Sequence, residues 1–302
     1  MSAKIISGRA VADEIRAELR ERVAELREES GVTPGLATVL VGDDPASHQY
    51  VGMKNKAAGA MGIHSRQVTL PADTPEAELL GLVAGLNADP EIHGILVQLP
   101  LPAHIDEGKV IEAIHPSKDV DGLHPMSVGR LATDSGHFFA PCTPAGIVEM
   151  LIRSGFDPAG KHVVVLGRSN LVGRPLASLL LRKDRGGNAT VTVCHSRTLD
   201  LGTVTRTADI LVAAMGRAEA IKGHMVRPGA VVIDVGTNRV DDPGSEKGYR
   251  VCGDVLFDEV VEVAAAISPV PGGVGPMTIT MLLSNTLKSA ALAAADAVGA
   301  AR

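Results

Sequence analysis

VVVLGRSNLVGRP, residues 163–175, decides the fold. Its four leading apolar residues do not alternate with polar ones, which fits a parallel strand buried on both faces. The strand ends at Gly167, and a helix is expected to open near Gly173. Strand, glycine turn and helix is the layout of a dinucleotide-binding loop, where amides at the helix start face a pyrophosphate. The spacing is not G-x-G-x-x-G, so the glycines alone leave a plain tight turn equally open. The surrounding sequence favours binding. Further strands are expected at HVVVLG (162–167), TVTVC (190–194), DILVAA (209–214) and VVIDVG (231–236), with helices between most of them.

The N-terminal half has the same alternation. Val11, Ile15, Leu19, Val23 and Leu26 recur at helical spacing, predicting an amphipathic helix over 8–29 that stops at Gly31 and Pro34. LATVLV (36–41) is a strand, and Asp44-Pro45 is an N-cap followed by proline at the first helical position. That helix runs to about Gly62. IHSRQVTL (63–70) is a strand, 75–88 a helix, and HGILVQL (93–99) a strand. Alternating strands and helices mean right-handed parallel units and open α/β sheets. A chain of 302 residues holds about two such domains. His, Gly, Ser and Pro cluster between about 125 and 143, which places the linker there. An Ala- and Leu-rich helix closes the chain at 277–297.

Composition narrows the function. With 45% hydrophobic residues the chain can bury real cores, and those cores must be aliphatic, because it has four Phe, two Tyr and no Trp. Stacking platforms for single-stranded nucleic acid are therefore scarce. A net charge of −6 without a basic stripe argues further against a nucleic-acid partner. Cys142, Cys194 and Cys252 are far apart and odd in number, so a reducing compartment fits better than a disulfide framework. No apolar signal core opens the chain, and no stretch approaches the roughly 18 apolar residues of a membrane helix. Cytoplasm is the expectation, with no membrane partner.

Four further segments carry chemistry. In SHQYVGMKNKAAGAMGI (47–63), Tyr50 and Lys54 are four apart and share a helix face, where a phenol and an ammonium can meet an aromatic substrate; a surface helix is the plainer alternative. VQLPLP (97–102) ends a central strand where open α/β sheets bind ligands, so Gln98 can bond a ligand or an amine, unless the prolines merely end the strand. In KDVDGLHP (118–125), Asp119 and Asp121 point the same way if the chain is extended. They can hold a heterocycle by paired hydrogen bonds, cap a helix or form an Asx turn. A metal is the least favoured option, since the ten histidines make no ligand spacing. PVPGGVGPMT (269–278) brings bare backbone close to a flat ligand, or simply turns a corner before a helix starting at Pro276.

Read in order, these segments resemble one family, the bifunctional methylenetetrahydrofolate dehydrogenase/cyclohydrolases. The resemblance covers nearly the whole chain. It is carried by S-x-x-Y-V-x-x-K-x-K (47–56), V-Q-L-P-L-P (97–102), K-D-V-D-G (118–122), P-C-T-P-x-G (141–146), G-R-S-x-x-V-G-x-P (167–175) and P-G-G-V-G-P-M-T (271–278). It implies two α/β open-sheet domains with a cleft between them. Residues 1–139, joined by helix 277–297, form a catalytic folate-binding domain, and 140–270 form a Rossmann-type NADP-binding domain. It also implies a homodimer acting on tetrahydrofolate derivatives.

Carried over by position, Lys54 is the catalytic lysine, Tyr50 stacks on the aminobenzoyl portion, Gln98 sits beside the lysine, and Asp121 holds the pterin. Leu99, Pro100, Pro271, Gly272 and Gly273 line the substrate. Gly167, Arg168, Ser169, Ser196, Arg197 and Thr237 contact the dinucleotide. The chain departs from the family pattern at DDPGSEKGYR (241–250), read as a surface loop, and at Leu256. The implied reaction oxidises 5,10-methylenetetrahydrofolate to the methenyl compound with NADP and hydrolyses that to 10-formyltetrahydrofolate. Two other classes remain in view, a different two-domain dehydrogenase and a non-catalytic ligand-binding descendant; the joint presence of Tyr50, Lys54 and the 118–122 loop weighs against both.

The choice of NADP over NAD has a basis of its own. NAD-binding domains place a carboxylate at the end of the second strand to accept from the ribose 2′-hydroxyl. Here TVTVC is followed by His195-Ser196-Arg197-Thr198. A hydroxyl beside a guanidinium suits a 2′-phosphate, and Arg168 is placed to reach the same group.

Overall fold

Each apolar run named above is a strand in the computed structural model, which describes residues 2–245 and 248–300. The chain begins β1 (Lys4–Ile5), α1 (Gly8–Ser30), β2 (Gly35–Val41), α2 (Pro45–Ala60), β3 (His64–Leu70), α3 (Glu76–Ala88), β4 (Gly94–Val97), α4 (Glu107–Ala113) and α5 (Pro125–Thr133). It continues through α6 (Cys142–Arg153), β5 (His162–Leu166), α7 (Gly173–Leu181), β6 (Thr190–Cys194), α8 (Leu201–Thr205), β7 (Ile210–Ala213) and β8 (Val231–Asp234). Last come β9 (Asn238–Asp241), β10 (Tyr249–Cys252), α9 (Phe257–Val260), β11 (Ala266–Ile267) and α10 (Val274–Ala300).

The chain divides into two compact units. One is Glu14–Cys142 with Ile279 onward; the other is Thr143–Thr278 with the chain start as far as Asp13. In the first unit, β2 is the middle strand of a parallel sheet ordered β3-β2-β4. All seven β2 residues are buried, whereas edge strand β3 has no buried residue. Leu79, Val83 and Leu86 of α3 pack with Ile95 and Val97 of β4. A fully buried leucine of this kind contributes about 1.5–3 kcal/mol.

The second unit is built on a six-stranded sheet, β1-β11-β8-β7-β5-β6, parallel throughout. Strands β5, β7 and β8 supply Val164, Leu166, Leu211, Ala213 and Val232 to its core. The order reverses between β5 and β7, since the chain leaves β5 for β6 on one side and returns to β7 on the other. Such a reversal opens a crevice at the carboxyl ends of the strands, where open α/β sheets take ligands. Among the described residues no helix is long and apolar enough to cross a membrane.

One expectation, the linker at 125–143, needs correction, and two other segments take a more definite form. The start of the chain as far as Asp13 groups with Thr143–Thr278 in the structure. β1 pairs with β11, with Lys4 opposite Ala266 and Ile5 opposite Ile267, and Ala3 joins the core of the second unit. A two-residue strand is too short to leave a periodic signal. The stretch placed as a linker at 125–143 contains helix α5. Pro125 sits at its first turn, and the ring of His124 accepts from the Met126 amide at 2.9 Å. The segment read as a surface loop at 241–250 connects an antiparallel pair, with Asp241 facing Tyr249 and Val240 facing Arg250, and none of its described residues is buried. Glu246 and Lys247 lie outside the described residues.

Candidate active site

Helix α2 begins as its sequence dictates. The Asp44 carboxylate accepts from the Ser47 amide at 2.8 Å, and Pro45 fills the first position. Its buried residues are Ser47, Val51, Lys54 and Ala58, a stripe at helical spacing. A lysine thus occupies a core-facing position and is 8% exposed. Tyr50 lies at the margin of that stripe, 39% exposed, one turn before the lysine. Asn55 fixes the helix on the sheet: its Oδ1 accepts from Thr38 Oγ1 at 3.0 Å and Ser65 Oγ at 2.9 Å, and its Nδ2 donates to Gln67 Oε1 at 2.6 Å.

Lys54 Nζ donates to Gln98 Oε1 at 2.9 Å. Gln98 follows the last residue of β4, and its backbone amide donates to Val39 O of β2 at 2.8 Å. Its side-chain Nε2 donates to Leu99 O at 2.6 Å, so the amide oxygen is turned to the lysine. Burial pulls the Lys54 ammonium below its ordinary pKa, and the Asp121 carboxylate and Cys142 oppose that in part. A buried lysine easily made neutral is suited to general acid–base work.

The 118–122 loop is not extended. A 3-10 turn covers Pro116–Lys118, and Gly122 has a positive φ of 75°. Lys118 Nζ donates to the carbonyls of Leu86, Asn87 and Asp89 at 3.1, 2.8 and 2.7 Å, which closes the C-terminal end of α3. Asp119, 2% exposed, accepts from the amides of Leu123 and His124 and from Ser127 Oγ at the start of α5. Burial raises its pKa to about 6 against the pull of those bonds. Two of the loop's three charged residues are therefore anchors at helix ends. Asp121 is half-buried, and its carboxylate acts on both Lys54 and the Cys142 thiol.

Sequence reasoning assigned no role to Cys142 or Asn285, which both bond to the carbonyl next to Asp121. The buried Cys142 thiol donates to Val120 O at 3.3 Å, and burial together with the Asp121 carboxylate pushes its pKa well up. Asn285 Nδ2, on α10, donates to Val120 O at 2.8 Å and Ala140 O at 3.0 Å and lies 3.8 Å from Cys142 Sγ. The match at P-C-T-P was a signal for the cysteine; a lone asparagine in a helix gave none.

The remaining candidates belong to the second unit. Gly167 has φ +126°, and a Cβ there would lie 2.2 Å from Ala214 O at the end of β7. A Cβ on Gly173 would lie 2.0 Å from Gly167 O, so both positions require glycine for α7 to start this close to the sheet. Ser169 Oγ accepts from the Val172 amide at 3.1 Å within that turn. Arg168, Ser169, Ser196, Arg197 and Thr237 are all exposed at the carboxyl ends of β5, β6 and β8. Beyond β6 the first carboxylate is Asp200, which caps α8 through the Thr203 amide. The edge has the bare backbone, helix start and exposed guanidinium groups that a dinucleotide phosphate needs, so its residues fit NADP. In the 269–273 loop, Pro271 is exposed, Gly272 O accepts from the Arg9 amide at 3.0 Å, and Gly273 is buried. Both the Leu99–Pro100 and Val270–Pro271 peptides are cis.

Two family models match the chain. The tetrahydrofolate dehydrogenase/cyclohydrolase catalytic domain covers residues 6–121, and the NAD(P)-binding domain of the same family covers 141–294. The chain belongs to this family. It is 55% identical to the bifunctional protein FolD of Syntrophobacter fumaroxidans over 290 residues, 96% of this chain and 97% of that one. Its fold is similar to the crystal structure of the Campylobacter jejuni bifunctional methylenetetrahydrofolate dehydrogenase/cyclohydrolase, with TM-score 0.89, 46% identity, and coverage of 96% and 99%. It is also similar to the Trypanosoma brucei enzyme complexed with NADP cofactor and an inhibitor, with TM-score 0.90, 44% identity, and coverage of 96% and 98%.

Proposed function

We propose that this chain oxidises 5,10-methylenetetrahydrofolate to 5,10-methenyltetrahydrofolate with NADP and hydrolyses the product to 10-formyltetrahydrofolate. The observation that carries this reading is the buried Lys54 ammonium on Gln98 Oε1, set on a fixed helix in a chain of this family. Tyr50, at the margin of the same face, stacks on the aminobenzoyl ring. Asp121 accepts from the pterin's amino and ring N–H groups, while Leu99, Pro100, Pro271, Gly272 and Gly273 line the folate. NADP held at the edge described above would supply the acceptor for the hydride of the methylene carbon. The chain's own task in that step is to hold donor and acceptor in register, a proximity effect.

Hydrolysis then draws on Lys54. Its neutral amine takes a proton from the water adding to the methenyl carbon. The resulting ammonium returns that proton to the ring nitrogen as the carbon–nitrogen bond breaks, and the second proton of the water leaves to solvent as the formyl C=O forms. Gln98 holds the amine in place through both transfers. Lowering the lysine's pKa makes each transfer nearer to even at neutral pH.

Gly167, Arg168, Ser169, Ser196, Arg197 and Thr237 hold the dinucleotide, with Arg168 and Arg197 on the 2′-phosphate. An assay of methenyl absorbance tests activity and cofactor together. Methenyl compound is expected to form from the methylene substrate with NADP and to decay without any cofactor. Replacing Arg168 and Arg197 together by Ala lowers the NADP-over-NAD ratio of kcat/KM by roughly 10-fold, the scale of a lost guanidinium–phosphate pair. Equal use of NADP and NAD by the unaltered protein, or a preference that survives loss of both arginines, removes this assignment.

The protein works as a homodimer in the cytoplasm on this reading, and its three unpaired cysteines suit that compartment. Light scattering on the purified protein is expected to give twice the mass of the chain. The mass of a single chain would remove the dimer.

A further inference from the structure

Beside the nucleotide edge lie two buried carboxylates that the reaction does not use. Asp254 is 0% exposed and Asp234 is 4% exposed. Asp254 Oδ2 accepts from the amides of Met215 at 2.5 Å and Gly216 at 2.9 Å. Its Oδ1 accepts from the Arg217 amide at 2.8 Å and from Asn238 Nδ2 at 2.9 Å. Asp234 in turn accepts from the amides of Gly236, Asp254 and Val255 at 3.0, 2.9 and 3.0 Å. All seven of these donors are backbone or carboxamide N–H groups, so the charges are held by aligned dipoles.

The placement of those donors matters more than their number. Met215, Gly216 and Arg217 form the segment that leaves β7, and Gly236–Asn238 form the segment that leaves β8. Both border the carboxyl edge of the sheet, next to the reversal between β5 and β7 where Gly167 meets Ala214 O. Thr237 lies between a residue bonded to Asp234 and a residue bonded to Asp254. One carboxylate therefore ties the two segments together, and the second holds the first in place.

We propose that Asp254 is a positioning residue for the dinucleotide: by gathering the 215–217 amides and Asn238 it sets the wall against which NADP lies and fixes Thr237. This rests on the reading of the edge as the NADP site, and the test separates the two. Each Asp254 oxygen faces two donors, so in Asp254→Asn the new NH2 group opposes two N–H groups whichever way the amide is turned. The two segments then separate, while Lys54 and Gln98, in the other unit, keep their hydrogen bond.

The experiment measures NADP binding by calorimetry and cyclohydrolase turnover without NADP, for the unaltered protein, Asp254→Asn and Asn238→Ala. Expected for Asp254→Asn is a roughly 10-fold rise in the Kd for NADP, the scale of a buried donor set left badly paired. Cyclohydrolase turnover stays within about threefold of the unaltered protein, because it uses no dinucleotide. Asn238→Ala, which keeps the carboxylate and loses one donor, gives a smaller rise of about threefold. An unchanged Kd in Asp254→Asn, or a cyclohydrolase loss in the same proportion as the loss of binding, overturns the proposal. Should Asp254→Asn not fold, an unchanged Kd in Asn238→Ala overturns it instead. If the unaltered protein binds no NADP, the cofactor reading fails, and this proposal with it.

Discussion

Lys54→Met is expected to lower cyclohydrolase kcat by about 100-fold or more, the usual scale of lost general acid–base catalysis. Methionine has nearly the lysine's length and carries no charge into a site that is 8% exposed, so the helix stripe of Ser47, Val51 and Ala58 stays packed. Gln98 Oε1 loses its donor, but Nε2 keeps its bond to Leu99 O. Dehydrogenase activity falls much less, because the oxidation removes no proton from carbon. A pH profile gives a second readout. Burial lowers the lysine's pKa from 10.5, so the neutral amine is available at lower pH than an exposed lysine would allow. Cyclohydrolase kcat should therefore rise with pH through a limb below 10.5, and that limb should vanish in the variant. Small and equal losses in both activities would dismiss Lys54 as the acid–base group.

Asp121→Ala is expected to cost about 100-fold in kcat/KM for both activities, the scale of two charge-assisted hydrogen bonds to one ligand. The loss is shared because folate is held before either chemical step. The loop itself should survive the change. Lys118 still closes α3, Asp119 still holds the His124 amide and Ser127 Oγ at the start of α5, and Asn285 still holds Val120 O. Titration with a folate analogue distinguishes a ligand from a loop residue. Unchanged affinity in Asp121→Ala would return the carboxylate to a structural role.

The parts of this protein legible in its sequence are those with local causes. An apolar run such as VVVL at 163–166 is a buried strand wherever it sits, and Asp44-Pro45 starts a helix without help from elsewhere. Lys54 and Gln98 were legible as residue types in matching motifs, but the bond between them required the sheet that brings 98 beside α2. Lys118 and Asp119 could not be sorted from Asp121 by spacing, because what separates them is their partners. Lys118 has the α3 carbonyls some thirty positions earlier. Helix α5 was hidden by its own composition, since a cap from His124 and a proline at the first turn read equally well as a loop. Asp254 was hidden for a deeper reason. The amides that neutralise it belong to positions 215–217 and say nothing about themselves in the side chains printed there.

Helix α10 also imposes an order of events on synthesis. The unit that carries Lys54 and Asp121 is interrupted by the whole of Thr143–Thr278 and resumes only at Ile279. Asn285 holds the carbonyls of Val120 and Ala140, and Ser289 Oγ holds those of His93 and Ser117 at 2.6 and 2.7 Å. A chain emerging from the ribosome N-terminus first has already made its lysine, glutamine and aspartate by the time residue 142 is out. The struts beneath the aspartate's loop do not yet exist. The loop that carries Asp121 thus gains its supports from α10 only after the whole of 143–278 has been translated, so the first unit is completed last although most of it is made first.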